Sequence, residues 1–186
     1  RGREQTRGIH ASNLPDRHHT AHHHPPQTAK GQNVYRLFGA HTNIAALCDA
    51  IKLGKGIRDA ILLRIIDPSI TLEEFSGIAH SNRIDPSPQS TALINRILLE
   101  GPRHPSDNDG MRIMSSAEGI SHEAWERNDP ELHAVAAYLM WLCGDRGTCG
   151  LEARAALILD RNTTMAKLVL DLLERERRQI VQAEQF

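Results

Sequence analysis

The sequence predicts an all-α fold, an irregular multi-helix bundle, and three observations lead there. Residues 130–173 read as three closely coupled helices with almost no polar face to spare. Strand-like alternation of apolar and polar residues is absent throughout. Aromatic residues make up only 4% of a chain that is 40% apolar, which suits packing of Ala, Leu and Ile on helices better than a β-sandwich.

From the N-terminus, residues 1–33 stand apart. Arg1, Arg3, Arg7, Arg17 and Lys30 against Glu4 and Asp16 give them a net charge of +3, while the remaining 17 basic and 21 acidic residues give −4. Six of the eleven histidines lie here, with Pro15, Pro25 and Pro26, and the only large aliphatic side chains are Ile9 and Leu14. Such a segment buries too little apolar surface to offset the entropy of ordering, so it is expected to be a flexible arm. One helical domain is expected over residues 34–186, in subregions of about 34–100 and 115–183. At 186 residues with 24% charged, the chain is long enough for one sizeable core.

Within the domain, Ile44, Leu47, Cys48 and Ile51 share a helix face over residues 43–53, and Gly54 and Gly56 interrupt it. Residues 57–66 form a second, strongly apolar helix stopped by Asp67-Pro68. Thr71 with Glu74 three residues on is a capping box for a third helix, to about Ser81. Leu93, Ile94, Ile97 and Leu98 supply the stripe of a fourth, over 89–99. Residues 101–114 read as a loop, and 116–127 as a short helix carrying Trp125.

The C-terminal group opens with Asp129 as N-cap and Pro130 at the first helical position, where a missing amide hydrogen costs nothing. The helix that follows is apolar nearly all round and belongs at the centre of a bundle, with Trp141 buried in it. Gly144 and Asp145 end it. A second helix is expected from about Gly150 to Asp160, and Thr163 or Thr164 caps a third with Met165, Leu168, Val169, Leu172 and Leu173 inward. The run Glu174 to Arg178 continues that helix into solvent. Residues 130–173 together resemble a tetratricopeptide-like helical hairpin, with alanines at contact positions.

These residues also carry a family resemblance. Trp141-Leu142-Cys143-Gly144-Asp145, then Ala156-Leu157, Asp160 and Met165-Ala166-Lys167-Leu168, resemble the C-terminal part of the actinobacterial domain-of-unknown-function family 4192, and Gly56 to Arg64 is similar to its arginine-aspartate helix. Arg146 and Arg161 depart from the family pattern, and its usual α/β portion has no counterpart in these residues. The resemblance implies a helical architecture and no reaction or catalytic residues.

Several groups invite chemistry. His18, His19, His22, His23 and His24 offer imidazoles to zinc, nickel or copper, although Pro25 and Pro26 oppose the helix that would align them, and a solvated arm is the plainer expectation. Cys143 and Cys149 with His122 or His133 lack metal-type spacing, and Cys143 lies on an apolar stripe. Ser106-Asp107-Asn108-Asp109-Gly110 resembles the opening of a calcium loop but places Pro105 and Ser116 where carboxylates are required, so a turn is expected.

Residues 72–99 have the length of a helix-turn-helix, with Asn95 and Arg96 as base readers. An overall acidic domain suits phosphate poorly, even with Arg1, Arg3, Arg7 and Arg17 assisting. No catalytic residues and no cofactor are expected. Apolar runs are too short to span a membrane, and an odd cysteine count without C-x-x-C spacing suits a reducing cytoplasm. The leading expectation is a non-enzymatic protein-interaction module with an unidentified protein partner; the alternative is a DNA-associated regulatory protein.

Overall fold

A computed structural model describes residues 28–38, 42–80, 91–92, 95 and 107–183, and among these it contains helices and no strand. The helices are α1 (Thr28–Tyr35, continued by a 3-10 turn over Arg36–Phe38), α2 (Ile44–Ile51), α3 (Lys55–Ile66), α4 (Leu72–Ala79), α5 (Asp107–Arg127), α6 (Pro130–Leu142), α7 (Arg146–Leu159) and α8 (Thr164–Ala183). Thr91 and Ala92 are helical too, and the rest of the helix expected at 89–99 lies outside the described residues. So does the expected arm up to residue 27; α1 crosses the boundary expected after Asn33.

Side-chain caps start four of these helices. Asn43 Oδ1 accepts from the Ala46 amide at 3.1 Å at the head of α2. Thr71 and Glu74 form the reciprocal capping box of α4, at 3.2 and 2.8 Å. Asp129 accepts from the Glu131 and Leu132 amides at 3.0 and 3.2 Å, with Pro130 in the first turn of α6. Asn128, in the left-handed region at φ 50°, makes the reversal between α5 and α6, as a short amide side chain tolerates.

Three expectations need correction. Residues 101–114 are not all loop, because α5 starts at Asp107: Asp107, Asn108 and Asp109 occupy its first turn, where acidic and cap-forming side chains suit the positive end of the helix, and Arg112 pairs back to Asp109 at 3.3 Å. The helix expected from Gly150 starts at Arg146, because Asp145 accepts from the Thr148 amide at 3.0 Å and caps it a turn earlier. On α8, Ala166 rather than Leu168 joins Met165 and Val169 inward, and Leu168 is exposed.

Packing is organised in two layers of helices. In the first, α3 lies against α2 and α4, and α4 against α1. Leu47, Ile61, Leu62, Leu63, Phe75 and Ile78 are fully buried there, and Phe75 receives Tyr35 and Phe38 edge-on. The α3–α4 crossing is close: a Cβ on Gly56 would lie 2.7 Å from the Ala79 carbonyl oxygen, so only glycine fits. In the second layer every residue of α6 from Leu132 to Leu142 is buried among α5, α7 and α8, as its all-round apolar sequence predicts. Arg58, itself buried, ties the layers by bonding Asp59 on α3 at 2.6 Å and Glu131 on α6 at 3.3 Å. No helix among the described residues is long and apolar enough to cross a membrane.

Candidate interaction face

The described surface holds one built feature, where α5, α6 and α7 meet. α5 and α7 both pack on α6, and side chains rather than close backbone approach join them to each other. Glu152 of α7, only 3% exposed, lies at this junction. Its Oε1 accepts from Ser121 Oγ at 2.7 Å and from Trp125 Nε1 at 2.9 Å, both on α5. Its Oε2 lies 2.6 Å from Nδ1 of His133, buried on α6. With the carboxylate as acceptor, Nδ1 donates, and three donors from two helices satisfy one buried acid.

This order of groups positions side chains and activates none of them. In a hydrolytic triad the imidazole stands between hydroxyl and carboxylate, so that it can take the hydroxyl proton. Here the carboxylate stands between, and Ser121 meets Glu152 rather than the imidazole. The three free cysteines are poor nucleophiles as well: burial pushes Cys48 and Cys149 up to about 12 and raises Cys143.

Trp125 leaves 56% of its surface open although its N–H is held by Glu152, and its ring meets His133 edge-to-face at 4.6 Å. Leu151, Ile158 and Leu159 are exposed on α7, Ile158 83% so. Glu118 and Glu126 are exposed on α5, and Arg154 and Arg161 flank Ile158. Among the described residues none of these four charges has an ion-pair partner, whereas Arg127 holds Asp49 and Glu123, and Arg146 holds Glu176.

Elsewhere, a half-open cavity of about 180 Å³ edged by Arg64 and Arg112 over Leu47 and Ile65 is explained by the fold. Arg112 donates to the Ile65 and Ile66 carbonyls at the end of α3, and Arg64 donates to the Ile70 carbonyl at 3.1 Å while covering the Tyr35 ring. Both guanidiniums are spent on carbonyls at and just beyond a helix C-terminus, where cations are stabilising.

Of the residues singled out from sequence, His18, His19, His22, His23 and His24, and Arg1, Arg3, Arg7, Arg17 and Arg96, lie outside the described residues. Cys149 is buried, Cys143 half-buried and His122 exposed, while His133 turns to Glu152; among the described residues no three His, Cys, Asp or Glu side chains group as metal ligands. Asp107 to Gly110 form helix, so the calcium-like turn is absent there. Of residues 72–99 only α4, residue 80 and three later positions are described. The pairing of His133 with Glu152 was not expected, although a charged residue set among Cys149, Ala153 and Ala156 on a buried face was a legible signal for it. No family model, no curated protein and no solved structure matches the chain.

Proposed function

We propose that this chain is a non-enzymatic protein-interaction module whose contact face is centred on Trp125 at the α5–α7 junction. One observation carries the reading: a tryptophan more than half exposed is held in a single orientation by a hydrogen bond to a buried carboxylate. Tryptophan is among the residues most enriched at binding hot spots, and fixing its rotamer beforehand reduces the entropy lost on association. Exposed Leu151, Ile158 and Leu159 on α7 add apolar surface of the kind that protein contacts use. The successive helices α6, α7 and α8 keep the tetratricopeptide-like reading within the same proposal, as does the likeness to family 4192, which adds no reaction.

Cross-linking tests it. A photo-reactive amino acid placed at Ile158 should give a discrete protein adduct in intact cells, lost in Trp125→Ala, while the same probe at exposed Ser69 should give none. Absence of an adduct at Ile158, or an adduct that nuclease removes, would overturn the proposal, the latter in favour of the DNA-associated alternative.

A further inference from the structure

Resting on that reading, we infer that the partner is a second copy of this chain, the outer stripe of α5 in one copy lying along the outer stripe of α7 in the other. Each stripe belongs to a single helix, so helical spacing alone fixes which residues share it. On α5 the exposed residues Met111, Ser115, Glu118, His122 and Trp125 recur at steps of three and four, with Glu126 adjoining, opposite buried Ile113, Ala117, Ile120 and Ala124. On α7 exposed Gly147, Leu151, Arg154 and Ile158 recur in the same way opposite buried Cys149, Ala153 and Ala156. Arg161, just past the end of α7, borders a shallow hollow with Arg154, Leu157 and Ile158.

Charge selects the copy. One stripe offers Glu118 and Glu126 and the other Arg154 and Arg161, and among the described residues none of the four has an ion-pair partner. Asp160, beside the arginines, is turned to the Asn162 amide at 2.9 Å. Spacing agrees as well as sign: the glutamates are eight residues apart, about 12 Å along a helix, and the arginines seven, about 10 Å. Trp125 lies between the glutamates in sequence as Ile158 lies between the arginines, so apolar meets apolar when the charges pair. The negative face of the exposed indole favours an arginine as well. Neither stripe suits itself, because α5 on α5 or α7 on α7 would set like charges together, so unlike faces of two copies must meet. One helix along another buries on the order of a few hundred Å² per partner, less than the ~800 Å² of stable pairs, so the association is weak and depends on concentration.

Sedimentation equilibrium of the full chain over a concentration series tests this, and its average mass should rise above that of one chain. Reversing one stripe, by Glu118→Arg with Glu126→Arg or by Arg154→Glu with Arg161→Glu, should weaken association about tenfold, with circular dichroism showing both variants folded. Mixing the two variants should bring it back to within about threefold of the parent, since each supplies the charge that the other now demands. Adding Ile158→Ser to both should abolish that recovery, because the apolar contact is lost while the charges stay. The inference is overturned if the parent keeps the mass of one chain throughout, if the mixture associates no better than either variant alone, or if recovery survives Ile158→Ser and so reflects bulk charge. The Ile158 photo-adduct should have the mass of two chains, its second attachment on α5. An adduct with a different protein, from a chain that stays single in solution, would leave the interaction module standing and remove the second copy.

Discussion

The two tryptophans make the same bond and turn opposite sides of it to solvent. Trp141, 3% exposed, donates Nε1 to Glu176 on α8 at 3.0 Å, and the Glu176 carboxylate is the outward partner, also held by Arg146 at 2.6 Å. Trp125 donates Nε1 to Glu152, and there the carboxylate is buried and the ring is open. A hydrogen bond contributes about 1 kcal/mol in either setting, whereas burying a large ring contributes several times that. The region around Trp141 therefore fastens α6, α7 and α8 together, and the region around Trp125 displays a ring whose burial the fold does not require.

The sharpest way to break this contrast is Trp141→Ala, which should lower unfolding free energy in urea by about 3–5 kcal/mol. Glu152→Ala should follow at about 3 kcal/mol, because it strands the donors of His133, Ser121 and Trp125, and it should also free the Trp125 ring to rotate in time-resolved anisotropy.

Acid should act next, through the caps of α6 and α7. Burial raises the Asp129 carboxyl, but Lys52 at 2.9 Å and the Leu132 and Glu131 amides outweigh it and hold the group below its usual value; Thr148 does the same for Asp145. Folded carboxyls that release protons more readily than unfolded ones stabilise above about pH 4, and that contribution fades as pH falls through their folded values. Asp129→Ala with Asp145→Ala should flatten this acid limb in pH-dependent melting and remove about 1 kcal/mol per cap at neutral pH. Smallest should be Trp125→Ala, at about 1 kcal/mol. In the native protein iodide should quench Trp125 and spare Trp141; equal quenching of both would dissolve the comparison.

Much of the fold was legible because its signals are local. Asp129-Pro130 and Thr71 with Glu74 announce helix starts within four residues, and the helix from Leu132 to Leu142 announces its central place by having no polar side. Misreadings arose where two local readings competed. The Asp107-Asn108-Asp109-Gly110 cluster suits a turn as well as a helix start, and packing decides between them, with Ile113, Ala117, Ile120 and Ala124 buried on one face of α5. Gly147 and Gly150 similarly obscured the start of α7. The cluster around Glu152 was not legible, since Ser121, Trp125, His133 and Glu152 come from three helices and only the packing on α6 brings them together.

Glu152 has one more consequence, which concerns distance rather than energy. This side chain reaches from α7 to Ser121 and Trp125 on α5, so its length acts as a gauge for the spacing of the two helices. Aspartate there would be one methylene short, and a close-packed interior has little freedom to draw the helices inward to meet it. The dimensions of the open surface are thereby dictated by a residue sealed beneath it, and drift at position 152 would reshape what the exterior accepts without altering a single exposed atom type.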